Sequence, residues 1–108
     1  MNQGRRLHGS CIVQDTVYVV CGLVGRKDKR DLTNSIEALN TLQIQDGWRQ
    51  ININSTVDLA PREHPITTRM NSFEFAICGG LYKDKYLSGL TIFNTKTETL
   101  EKIIFEEQ

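Results

Sequence analysis

Thr16-Val17-Tyr18-Val19-Val20-Cys21-Gly22 (TVYVVCG) and Phe73-Glu74-Phe75-Ala76-Ile77-Cys78-Gly79-Gly80 (FEFAICGG) are two versions of one phrase. Each is a β-branched and aromatic run that ends on glycine, the signature of a strand leaving its sheet through a turn. Tyr18 and Phe75, Val20 and Ile77, Cys21 and Cys78, and Gly22 and Gly79 all stand at one numbering offset, 57. Arg5 and Arg62 share it. Five matches at one offset point to an internal repeat, and repeats decide the architecture before any single element does.

Further along the chain the offset falls to 54, where Ile36 matches Leu90, Ala38 matches Ile92, Leu39 matches Phe93, and Asn40-Thr41 matches Asn94-Thr95. It falls again to 52, where Trp48 meets Leu100 and Ile51 meets Ile103. Each drop marks a shortened loop, first between Gly79 and Leu90 and then after Asn94. Insertions and deletions concentrate in loops.

Within each unit the strands read clearly. Ser10–Val13 and Thr16–Cys21 form a hairpin around the polar pair Gln14-Asp15; Thr67–Met70 and Phe73–Cys78 repeat it around Asn71-Ser72. The third segment, Ser35–Leu42 (SIEALNTL), is ambiguous by itself, because Ile36, Leu39 and Leu42 recur at helical spacing and Ser35 is a capable helix cap. Its counterpart Leu90–Thr95 (LTIFNT) is β-branched and aromatic, so equivalence of the two units predicts a strand for both. Trp48–Ile53 and Leu100–Phe105 are the fourth segments. The expected fold is all-β: two four-stranded antiparallel units, residues 1–56 and 57–108, each shaped like one blade of a propeller.

These features resemble the kelch repeat over nearly the whole chain. The family pattern runs from an Arg, often with a His, through an apolar second strand ending in Gly-Gly, to a third strand closed by a polar turn and then a Trp. Arg5, His8, Tyr18, Gly22 and Trp48 supply it in the first unit; Pro61-Arg62, Phe75, Gly79-Gly80, Asn94 and Leu100 supply it in the second. On this alignment Leu23 replaces the second glycine of the first unit and Leu100 the tryptophan of the second. Tyr18, Gly22, Trp48, Phe75, Gly79 and Gly80 are expected to be structural.

The resemblance implies a protein–protein interaction module, an adaptor or scaffold without catalytic activity or cofactor. It also places the loop after the second strand and the lead-in to the first strand on one rim, where partners of such propellers bind. The residues it carries onto that rim are Arg5, Arg6, His8, Arg26, Lys27 and Arg30 in the first unit, with Arg62, His64, Tyr82, Lys83 and Lys85 in the second. A basic rim suits an acidic or phosphorylated peptide motif, because guanidinium groups pair bidentately with carboxylates and phosphates. For Arg5 and Arg62, which recur at one motif position, contacts between blades are the stronger expectation. The family also holds copper oxidases, sugar epimerases and filament-binding proteins, the alternatives to an adaptor.

Composition narrows the field. Hydrophobic residues make up 39% and charged residues 24%, an ordinary globular balance. Thirteen basic residues offset thirteen acidic ones, which gives no general attraction to nucleic acid or to an anionic membrane. Splitting near Ser55 leaves seven basic and five acidic residues before it and six and eight after, too even for a charged arm. No apolar run approaches the roughly 20 residues that span a bilayer, and residues 1–10 lack a signal-peptide core, so a cytoplasmic protein is expected.

Cys11, Cys21 and Cys78 lie in apolar surroundings without C-x-x-C spacing, so buried thiols are expected and a zinc site is not. No H-E-x-x-H or D-x-D cluster is present, and His8 and His64 do not fall at matching places. Gly79-Gly80 is not followed by a helix start, which argues against a phosphate-cradling loop. Two blades leave open edges and apolar faces, so further blades or self-association are expected to complete the disc.

Overall fold

The computed structural model describes residues 1, 4–26 and 29–103. Every described element except one turn of 3₁₀ helix, Ile44–Asp46, is a β-strand. Strands β1 (Arg5–Arg6), β2 (Gly9–Val13), β3 (Thr16–Val20), β4 (Leu23–Val24), β5 (Asp31–Leu32), β6 (Ile36–Asn40) and β7 (Arg49–Gln50) come from the first unit. The second unit supplies β8 (Ile66–Arg69), β9 (Glu74–Cys78), β10 (Leu81–Tyr82), β11 (Lys85–Tyr86), β12 (Leu90–Asn94) and β13 (Thr99–Ile103). Two four-stranded antiparallel meanders result, β2-β3-β6-β7 and β8-β9-β12-β13. Two small ribbons, β1-β4-β5 and β10-β11, stand at their glycine ends.

The ambiguous segment is a strand. β6 pairs with β3 from Val20↔Ile36 to Thr16↔Asn40. Ile36 and Ala38 turn into the core, Leu39 points the other way, and Leu42 is 72% exposed in the following loop. The apparent helical stripe therefore never shares a face. The fourth segment of the first unit pairs only over Glu37↔Gln50 and Ala38↔Arg49, shorter than expected. The end of Leu100–Phe105 lies outside the described residues.

The two units match, but not at the single offset that the identities suggest. Arg5 Nη1 donates to the Cys21 carbonyl at 3.1 Å, and Arg62 Nη1 donates to the Gly79 carbonyl at 3.0 Å. The arginines stand at an offset of 57 and their acceptors at 58. The pairs Arg6↔Leu23 and Glu63↔Leu81 differ in the same way.

One inserted residue explains the shift. Val13 pairs with Thr16 around the two residues Gln14 and Asp15, whereas Met70 N donates to Glu74 O at 2.9 Å across three, Asn71, Ser72 and Phe73. From that turn to the glycines the true offset is 58, so Gly80 is the counterpart of Gly22. A side chain at either glycine would strike backbone: the nearest atom is Arg6 O at 2.7 Å for Gly22 and Glu63 O at 2.8 Å for Gly80. The missing glycine of the first unit is thus at Cys21, which takes φ 61 where Gly79 takes φ 67, and not at Leu23. Offsets 54 and 52 hold for the later strands. Thr41 and Thr95 bond the carbonyls of Asp15 and Phe73 in the same way, through both N–H and hydroxyl.

A one-residue shift turns each side chain to the opposite face. Tyr18 and Phe75 are therefore not counterparts on equivalent faces. They are opponents, with ring centroids 5.3 Å apart across the gap between the sheets. Phe93 completes a triad with both, at 5.9 Å from Tyr18 and 5.2 Å from Phe75. Val20, Ile36, Ala38 and Ile51 line the first sheet's side of this core; Ile77 and Leu100 line the second's. Phe75 and Phe93 are fully buried, each worth about 2–3 kcal/mol in apolar transfer.

The sheets approach most closely along their first strands, where β2 lies beside β8. Thr67 Oγ1 donates to Ser10 O at 2.6 Å, and a Cβ at Gly9 would meet Thr67 Cγ2 at 2.8 Å. Farther out the gap is closed by the connecting segment: Leu59 is buried in it, Ile53 and Val57 pack against the core, and Asn54 N and Ser55 Oγ bond Glu98 O and Leu100 O. Trp48 is half-buried and takes no place in this cluster, while its counterpart Leu100 does.

Candidate functional site: the glycine-end rim

The rim is built where β3 and β9 end. Gly22 and Gly80, with φ 102 and φ 92, let each chain pass against the lead-in to its own first strand. In the first unit that lead-in, β1, joins β4 and β5 in a ribbon through Arg5↔Val24, Arg6↔Leu23, Val24↔Asp31 and Leu23↔Leu32. In the second, β10 and β11 form a two-residue hairpin with Lys83 and Asp84 at its tip.

The predicted rim residues divide into two groups. Arg5 and Arg62 turn inward and are not available to a partner. Arg5 forms an ion pair with Glu37 at 2.6 Å, both side chains fully buried, and also donates to Ser35 O and Ser35 Oγ. Arg62 is 5% exposed and donates to Ala60 O and Gly79 O; burial holds its pKa below the usual arginine range. Both guanidinium groups thus bond within their own units. The link between units runs through the Arg62 backbone, whose carbonyl accepts from Gly22 N at 2.8 Å. His8 is half-buried, its Nδ1 without a hydrogen-bond partner among the described residues.

The second group faces solvent. Arg6, Arg26, Arg30, His64, Lys83 and Lys85 are exposed, and Tyr82 is half-buried with Lys83 Nζ 5.3 Å from its ring centre. Lys27 lies outside the described residues. The ribbon brings Arg6 and Arg30, distant in sequence, to one small cleft of about 190 Å³. Sequence spacing gave no sign of that pairing, since two-residue strands carry no periodicity.

Glu37 is the residue that sequence reasoning missed. Its only signal was a carboxylate in the middle of a strand otherwise read as apolar. A larger cleft, about 610 Å³, opens at the opposite end and is bordered by Tyr18, Asn40, Trp48 and Arg49. Arg49 there bridges to Glu98 of the second unit at 3.0 Å.

Of the three thiols expected to be buried, Cys21 is, whereas Cys11 and Cys78 are half-buried. Burial pushes Cys11 and Cys21 each up to about 11, leaving them protonated at neutral pH. Among the described residues no group of three His, Cys, Asp or Glu side chains is placed to hold a metal ion, and no helix is long and apolar enough to cross a membrane. Neither a protein-family model nor a curated protein sequence matches the chain.

Proposed function

We propose that the chain is a segment of a kelch-type β-propeller that acts as a cytoplasmic protein-binding adaptor or scaffold, with the glycine-end rim as its docking surface for an acidic or phosphorylated peptide. The observation that carries this reading is the repeated arginine contact. In both units a lead-in arginine reaches the carbonyl at the end of the second strand, and a glycine one residue later lets the lead-in pass. Two meanders with that shared device, closest along their first strands, are what adjacent blades around an axis require. The exposed cations left over, Arg6, Arg26, Arg30, Lys83 and Lys85, sit on the ribbons of that end.

Binding is tested with an array of acidic, phosphorylated and neutral peptides of equal length. Selection of the first two classes, lost on charge reversal at Arg26, Lys83 and Lys85, is the expected result. Equal retention of neutral peptides overturns the docking assignment. Light scattering after size exclusion tests the propeller reading separately: assembly beyond the 12.3 kDa of one chain is expected, and a folded monomer contradicts it.

A further inference from the structure

Arg6 and Arg30 are two exposed arginines of the rim that line one cleft. Arg6 pairs with Leu23 in the ribbon, and directly paired residues of a ladder project to one side. The cleft beside them is lined by Gly4, Arg5, Arg6, Leu23, Gly25 and Arg30. Two glycines form part of its wall, and among the described residues its only charged side chains are arginines. Arg5 is already neutralised from behind by Glu37. Arg6 and Arg30 have no carboxylate within ion-pair distance among the described residues.

The nearest acid in the described sequence, Asp31, is committed elsewhere. Its ladder partner is Val24, so it projects to the side opposite Leu23, and its Oδ1 accepts from Leu32 N at 2.9 Å. Beside the cleft Lys29 N donates to Arg26 O at 2.9 Å. Gly25, with φ 100, is required there, because a Cβ would run into the Lys29 carbonyl oxygen. Arg6 and Arg30 thus line one cleft, and among the described residues no acidic side chain lines it.

We infer that the cleft between Arg6 and Arg30 seats the dianion of a phosphate monoester. This rests on the proposed role of the rim in partner binding and narrows its ligand from acidic groups in general to phosphate. Two planar guanidinium forks offer paired N–H donors to the oxygens of one tetrahedral group, and a doubly charged anion balances both cations where a carboxylate balances one. The phosphate is carried on a side chain of a protein partner or on a small free molecule, and the test separates these.

Gly4 supplies a steric control. A Cβ there meets nothing within 4 Å, so a side chain fits without disturbing the fold. The experiment is an amide NMR titration of the full chain with three probes: the capped tripeptide Gly-phosphoSer-Gly, inorganic phosphate, and capped Gly-Glu-Gly. Saturable shifts at Arg6, Leu23, Gly25 and Arg30 are expected with both phosphate probes, and binding of the glutamate probe weaker by about tenfold or more. Arg6→Gln and Arg30→Gln should each weaken phosphate binding by about tenfold, and Gly4→Leu should abolish it without changing charge. The spectra themselves report whether each variant is folded.

Stronger binding of the phosphopeptide than of inorganic phosphate assigns the site to a partner's side chain; equal binding assigns it to a small phosphate. Absence of saturable shifts, equal affinity for the glutamate probe, or indifference to Gly4→Leu overturns the inference. Should acidic arrays still bind while the phosphate probes do not, the rim reading stands and the phosphate seat falls.

Discussion

Glu37 holds the guanidinium of Arg5 at 2.6 Å, with neither side chain exposed to solvent. The pair ties the lead-in strand β1 to the centre of the first sheet, and Ser35 and Cys21 carbonyls take further donors of the same guanidinium. Removing one partner strands the other charge in a dry site. Glu37→Gln should therefore cost about 3 kcal/mol in urea unfolding. Replacing both, as Arg5→Met with Glu37→Leu, should recover most of that loss, since a buried ion pair is worth little more than an apolar pair of similar volume. A loss below about 1 kcal/mol for Glu37→Gln would contradict a desolvated pair.

The register shift makes its own prediction. If Tyr18 and Phe75 oppose each other across the interface, their substitutions must be coupled. Phe75→Ala alone should cost about 3–5 kcal/mol, as for any fully buried phenylalanine. A double-mutant cycle with Tyr18→Ala should show an interaction of about 0.5–1.5 kcal/mol beyond additivity. Additive losses would mean that the two rings do not meet.

This pair also shows where sequence reading stops. Strands and their order were legible because β-branched and aromatic runs alternate with polar turns, and even the helix-like Ser35–Leu42 yielded once its repeat partner was consulted. Register was not legible. Identities at offset 57 outvoted a single inserted residue hidden among Asn71, Ser72 and Phe73, where Phe73 reads as strand but serves the turn. The inward course of Arg5 depends on Glu37, far along the chain, and the Arg6–Arg30 cleft depends on strands of only two residues each. Neither leaves a local pattern.

Burial of Cys21 ties stability to alkaline pH. An unfolded thiol ionises near 8.5, whereas the folded Cys21 keeps its proton up to about 11. Between those values the folded state binds more protons than the unfolded one, so stability falls as pH rises. The contribution is fully present below about pH 8.5 and lost as pH climbs through 11. Its size is about 3 kcal/mol for this thiol. Urea midpoints should therefore drop between about pH 8 and 10.5, and Cys21→Ala should flatten the slope while lowering stability at neutral pH. Cys11, pushed up in the same way, adds to the slope, as does Tyr18, whose raised pKa also follows from burial. Near neutral pH Cys21 should resist alkylation by iodoacetamide for as long as the protein stays folded.

The β10–β11 hairpin is closed by two residues that fit their conformation poorly. Tyr82 pairs with Lys85, so Lys83 and Asp84 form the whole loop, and both lie at positive φ, 47 and 67. Two-residue hairpins of this kind favour Asn followed by Gly, because a side chain with a Cβ is crowded in the left-handed region. Both residues are exposed and make no core contact, so the strain is relieved without disturbing packing. Asp84→Gly should stabilise the protein by roughly 0.5–1 kcal/mol, and Lys83→Asn should add a smaller gain. The partner-facing charge falls with the second change but not with the first. If the hairpin presents cations to an acidic partner, Asp84→Gly should leave binding unchanged or improve it, while Lys83→Asn weakens it. A thermal midpoint that does not rise for Asp84→Gly would show that the tip does not hold this turn.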